Sequence, residues 1–108
     1  MSQVTTHVLD AALGRPAAGV PVRLERADGT LVAASATGPD GRVPELGPQS
    51  LPVGPYRLVF DTAAYFAAAG TVGFYPRVSI DFDLADGAAH YHVPLLLSPF
   101  AYSTYRGS

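Results

Sequence analysis

The sequence predicts an all-β sandwich with one short helix, and three observations carry that prediction. Short apolar–polar alternations recur along the chain. Turn signals built from Gly, Pro and Asp interrupt them about every ten residues. Only one stretch favours a helix. The 108 residues suffice for a single domain, 1–108, with one core. Hydrophobic residues make up 48% of the chain, which argues against disorder.

Residues 4–10 read as the first strand, with Thr5, His7 and Leu9 on one face and Val4, Thr6 and Val8 on the other. Gly14 and Pro16 mark a turn. The next strand covers 20–25, with Val20, Val22 and Leu24 inward. Pro21 has no N–H for a ladder, so this strand starts after it or lies at an edge. Asp28-Gly29 closes a hairpin into a strand over 31–36. A second turn cluster, Thr37-Gly38-Pro39-Asp40-Gly41-Arg42, leads to a short strand over 43–46 and then an exposed, Pro- and Gly-rich loop over 47–55. Tyr56, Leu58 and Phe60 share a face of the strand over 56–61. Asp61-Thr62 offers an N-cap to a helix over 63–69, which Gly70 stops. At about two turns that helix needs Tyr65 or Phe66 packed against the body of the domain. Val78, Ile80, Phe82 and Leu84 then alternate with Ser79, Asp81 and Asp83, and Asp86-Gly87 turns the chain into its last segment.

That last segment reads first as a strand over 90–98. Tyr91, Val93, Leu95 and Leu97 form a core face; His90, His92, Leu96 and Ser98 form the other. It turns at Ser98-Pro99 and runs through Tyr102 and Tyr105 to Arg106-Gly107-Ser108.

Composition removes several functions. The net charge is -2 and all seven basic residues are Arg, so no basic stripe exists for nucleic acid. The chain has no Cys, hence no disulfide, thiol nucleophile or thiolate metal site. No apolar stretch approaches the roughly 18 residues of a membrane span, so no membrane partner is expected. No charged segment followed by an apolar run opens the chain, and the expected location is the cytoplasm.

Taken singly, the polar candidates are weak. A strand His such as His7 is commonly a surface or interface residue, and an Arg at a turn, such as Arg42 or the near-terminal Arg106, is commonly solvated. Tyr102 and Tyr105 suit packing. His90 and His92 project from one face roughly 7 Å apart, a spacing that one cation could bridge with a third ligand the sequence does not place. Ser98, Ser103 and Ser108 lack the G-x-S-x-G elbow of serine esterases.

The ending His-Tyr-His-Val-Pro-Leu-Leu-Leu-Ser-Pro, followed by Tyr-Ser-Thr-Tyr-Arg-Gly-Ser over 102–108, resembles the C-terminal signature of the 5-hydroxyisourate hydrolases, transthyretin-related enzymes of purine catabolism. The resemblance extends to Thr6-His7-Val8-Leu9-Asp10 and Asp40-Gly41-Arg42, and so covers essentially the whole chain. It implies a transthyretin-like (prealbumin-like) sandwich of two four-stranded sheets. It also implies hydrolysis of 5-hydroxyisourate, a small purine-derived substrate, to 2-oxo-4-hydroxy-4-carboxy-5-ureidoimidazoline. His7, Arg42 and His92 are its implied catalytic residues. His7, Arg42, Tyr105, Arg106, Gly107 and Ser108 are the implied substrate-binding set. No metal or other cofactor is implied, and the implied assembly is a homotetramer, a dimer of dimers with sites between dimers. Which His is the general base stays open, as does the role of His90. Transthyretin shares the fold but lacks the His/Arg/His set and the closing Tyr-Arg-Gly-Ser. The competing readings are a transthyretin-like binding or transport module, a metal-binding sandwich using His90 and His92, and a structural domain without a site.

Overall fold

Alternation along the chain marks out apolar faces, and two four-stranded sheets bury them against each other. The computed structural model describes residues 2–107. Its elements are β1 (Val4–Thr5), β2 (Val8–Asp10), β3 (Arg15–Pro16), β4 (Pro21–Arg26), β5 (Leu31–Ala36), β6 (Gly54–Phe60), α1 (Thr62–Ala68), β7 (Val78–Leu84), β8 (Tyr91–His92), β9 (Leu95–Ser98) and β10 (Ala101–Thr104). One sheet has the order β5-β4-β6-β7 and is antiparallel throughout. The other has the order β10-β9-β2-β3, with β2 and β9 parallel. A further parallel pair, β1 with β8, continues the β2–β9 seam. Val8, Leu95 and Leu97 from one sheet meet Val22, Leu24, Leu58, Phe60, Val78 and Leu84 from the other in one core.

Several expected boundaries shift for identifiable reasons. The first strand divides at Thr6-His7, because β1 and β2 pair with different strands. The last divides at Val93-Pro94, where Pro94 offers no N–H to the ladder. Pro21 opens β4, a central strand, as its first residue. Residues 43–46 form no strand: Pro44 lacks a donor, and the Leu46 N–H goes to the Ser2 hydroxyl at 2.7 Å instead of to a neighbouring strand. The loop expected to be exposed over 47–55 buries Leu51, whose N–H is taken by the Gln3 side chain at 2.7 Å, and gives its last two residues to β6. The tail after Pro99 folds back as β10.

The helix is capped as expected, the Asp61 carboxylate accepting from Ala64 N at 3.0 Å, and it buries Phe66. Tyr65 ties it to the opposite sheet by donating its hydroxyl to Asp10 Oδ2 at 2.6 Å. Asp10 is 4% exposed, and its other oxygen accepts from Ala12 N and Leu13 N. Burial, then the hydrogen bond and charge of Asp10, push the Tyr65 phenol up to about 12. Tyr65→Phe removes one of three donors to a buried carboxylate. It should cost about 1–2 kcal/mol, since hydrogen bonds to charged groups carry that much, and lower Tm by about 5 °C. A melting curve unchanged from wild type would mean that this link between helix and sheet is dispensable.

Candidate active site

Parallel pairing of the two chain ends builds the candidate site. In the register of β1 with β8, Thr5 lies opposite His92, so their side chains leave the same face. Val93 N donates to Thr5 O at 2.9 Å and Leu95 N to His7 O at 3.0 Å, which carries the register past the breaks in both strands. The outer face of this seam therefore presents Thr5, His7, His90 and His92 together. His7 and His92 are half-buried and His90 is exposed.

The turn at 38–42 adds Arg42. Gly38 N donates to Arg42 O at 2.8 Å, Arg42 N to Asp40 Oδ1 at 3.0 Å, and Val8 N to Gly41 O at 2.8 Å, so a compact loop is docked on the N-terminal segment. His7 and Arg42 form an antiparallel bridge. Gly41 makes the docking possible. Its φ is +78°, and a Cβ there would collide with the Val8 carbonyl and lie 3.1 Å from the His7 ring. The His7 ring is held by Nε2, 2.8 Å from Asp40 O. A carbonyl only accepts, so Nε2 carries the proton and Nδ1 keeps the lone pair of the neutral ring.

His92 sits at the centre. Burial lowers its pKa below the ordinary imidazole value, and the positive charge of Arg42, then His90 and His7, lowers it further. These surroundings favour the neutral form of the ring. Gly107 closes over it: Gly107 N donates to His92 O at 2.8 Å, and a Cβ on Gly107 would come within 2.5 Å of the ring.

The expected site residues thus separate. His7, Arg42, His92 and Gly107 come together. Tyr105 and Arg106, expected to bind substrate directly, have their side chains elsewhere in the single chain. They line a groove at the sandwich edge with Ile80, Phe82 and Tyr91, and the Arg106 guanidinium lies 4.5 Å over the Tyr91 ring. Tyr91 and His92 are neighbours on one strand and face opposite ways, so Arg106 anchors the tail from behind the imidazole face. Ser108 lies outside the described residues. His90 and His92 converge on one hydroxyl. Their near nitrogens each lie 2.8 Å from the Thr5 hydroxyl. Among the described residues no group of three or more His, Cys, Asp or Glu could hold a metal ion. Thr5 is the one member of this face that sequence reasoning passed over. Its only signal was that it shares a strand face with His7.

The profile of the HIUase/Transthyretin family matches residues 4–107. The chain belongs to the HIUase/Transthyretin family. Within that family it is 47% identical over 115 residues to 5-hydroxyisourate hydrolase 2 of Rhizobium meliloti (strain 1021), covering 98% of this chain and 96% of the relative. The solved structure of Klebsiella pneumoniae 5-hydroxyisourate hydrolase superposes with a TM-score of 0.90 at 42% identity, over 100% of this chain and 94% of that one. Sea bream transthyretin in complex with thyroxine also superposes with a TM-score of 0.90, at 36% identity, over 97% of this chain and 94% of that one. The transthyretin-like sandwich of two four-stranded sheets is thereby borne out, as is the expectation of a hydrolase by the name that the bacterial relatives share. Equal superposition on enzyme and thyroxine-bound protein means that the fold alone does not choose between them. Among the described residues no helix is long and apolar enough to cross a membrane.

Proposed function

We propose that this chain hydrolyses 5-hydroxyisourate to 2-oxo-4-hydroxy-4-carboxy-5-ureidoimidazoline. The observation that carries this reading is the half-buried His92 on one outer face with His7, to which the Arg42 loop is bridged, in a chain this similar to proteins named for that activity. Water adds to the ring carbonyl, the carbonyl carbon–nitrogen bond breaks, and the freed nitrogen takes a proton. His92 Nε2 takes the proton of the attacking water. His7, with its proton fixed on Nε2, offers the Nδ1 lone pair to orient that water. Arg42 presents a planar cationic fork to the carbonyl oxygen as it becomes an oxyanion, a contribution of about 3 kcal/mol. Arg106 and Tyr105 serve binding from outside the imidazole face, by holding the tail so that Gly107 stays against His92. No step requires a metal or redox cofactor.

The test generates 5-hydroxyisourate in the cuvette with urate oxidase and follows its ultraviolet decay with chelator present. Accelerated decay is expected. No acceleration by folded protein would remove the hydrolase reading and leave a transthyretin-like binding module, whose ligand a titration would then seek.

We infer a homotetramer, a dimer of dimers, in solution. β10 and β7 are edge strands on the same side of the sandwich. Phe100 is 68%, Tyr105 57% and Tyr102 41% exposed along that side. An unpaired edge flanked by apolar side chains is a surface that pairs with another chain. Sedimentation at micromolar concentration should give a four-chain species; a monomer that turns over substrate would show that one chain is sufficient.

A further inference from the structure

One hydroxyl stands between two imidazoles. Thr5 Oγ1 is 2.8 Å from His90 Nε2 and 2.8 Å from His92 Nδ1. A hydroxyl has one proton, and a neutral imidazole has one N–H and one bare nitrogen. The hydroxyl oxygen can also accept twice, so where Thr5 spends its proton on one of these rings, that ring accepts from Thr5 and the other donates to it. The two neutral rings then hold the same tautomer, both protonated on Nδ1 or both on Nε2, and neither changes without the other.

We propose that Thr5 is a positioning residue for the proposed hydrolysis: its hydroxyl sets the tautomer of His92 and relays protons between His92 and the exposed His90. This rests on the reading of His92 as general base. For that role Nε2 must be bare, so in the resting state His92 Nδ1–H donates to Thr5 Oγ1 and the Thr5 O–H donates to His90 Nε2. When Nε2 takes the proton of water, the Nδ1 proton passes to Oγ1 and the Oγ1 proton passes to His90 Nε2. His90, now carrying two protons, releases the one on Nδ1 to solvent. His92 is left neutral with its proton on Nε2, the form that protonates a departing nitrogen. As it does so, the same chain runs inward. His90 Nε2–H returns its proton to Oγ1, Oγ1 returns one to His92 Nδ1, and His90 regains one from solvent on Nδ1. Each turnover restores the starting tautomers, and the proton of the new carboxyl group leaves by ionisation.

The surroundings favour this direction of traffic. The groups that act on His92 are Arg42 from the docked loop, His90 from its own segment and His7 from the N-terminal strand. All three oppose a positive charge on a half-buried ring, and His90 stands in solvent. Moving the charge to His90 takes it away from Arg42's side of the face.

Thr5→Val keeps the shape and removes the hydroxyl; Thr5→Ser keeps the hydroxyl; His90→Asn keeps a hydrogen-bonding side chain that does not titrate. Thr5→Val and His90→Asn should each lower kcat by about 10–100-fold with KM within about twofold of wild type, and Thr5→Ser should restore kcat to within about threefold. The double variant should be no slower than the slower single, because both act on one relay. Nitrogen NMR of the resting wild-type protein should show His92 protonated on Nδ1 and His90 on Nδ1 with Nε2 bare, a pattern that Thr5→Val converts to mixed tautomers. Folded Thr5→Val with kcat within about twofold of wild type, or losses that multiply in the double variant, would overturn the relay. Thr5→Ala supplies the same test if Thr5→Val misfolds. If wild type does not hydrolyse 5-hydroxyisourate at all, the functional reading falls, while the tautomer spectrum still decides whether Thr5 sets the two rings.

Discussion

His92→Ala is expected to lower kcat for ring opening by about 10²–10⁴-fold, the contribution typical of a positioned acid–base group. The variant should fold. The core side of this segment consists of Tyr91, Val93, Leu95 and Leu97, whereas His92 is on the outer face. What the fold loses is a ring under Gly107, not a core side chain. His92→Gln serves as a control that keeps bulk and hydrogen bonding without basicity, and it should be nearly as slow. The pH dependence carries the sharper prediction. The free enzyme needs His92 neutral, and burial together with Arg42, His90 and His7 lowers its pKa. The acid limb of kcat/KM should therefore fall below the ordinary imidazole range near 6.5, and it should disappear from the residual activity of His92→Ala. A folded His92→Ala protein with wild-type kcat would remove His92 from the chemistry and leave His7 as the candidate base.

Much of the fold was legible because its signals are local. Val78, Ile80, Phe82 and Leu84 announce β7 by alternation, Asp28-Gly29 announces the β4–β5 hairpin, and Asp61 and Gly70 bracket the helix within a residue. What was missed depends on partners distant in sequence. Residues 43–46 look like a strand until Ser2, 44 positions away, takes the Leu46 N–H. β10 is exposed at all four positions, so it has no apolar face to betray it; only pairing with β9 makes it a strand. The site divides in the same way. The alternation puts Thr5 and His7 on one face, and His90 and His92 on one face. That these two faces are the same surface follows from a parallel register between residues 87 apart, which no local pattern contains. Tyr105 and Arg106 show the converse. The resemblance gave them a binding role shared with Gly107, and in the single chain Gly107 meets His92 while Arg106 stacks on Tyr91.

Arg42→Gln should act on the proposed reaction in two separable ways. Loss of the cation from the carbonyl oxygen removes stabilisation that develops with the oxyanion, so kcat should fall by about 10²–10³-fold. The second effect concerns His92. Arg42 is the largest of the charges that disfavour protonated His92, second only to burial among all causes. Without that charge the imidazolium forms more readily, the His92 pKa rises, and the base is lost at a higher pH. The acid limb of kcat/KM should therefore move up in Arg42→Gln, toward the ordinary imidazole range, even though the whole profile is lower. Arg42→Lys separates the two contributions. A lysine keeps the positive charge, so the limb should stay near its wild-type position. It lacks the planar fork, so kcat should remain well below wild type. The backbone of this residue is held by Asp40 and Gly38 and bridges His7, so substitution of its exposed side chain leaves the loop docked. If Arg42→Gln lowered kcat with no movement of the acid limb, the arginine would act on the substrate alone and the low pKa of His92 would belong to burial. If the limb moved and kcat held, Arg42 would be a tuner of His92 and the oxyanion would need another partner.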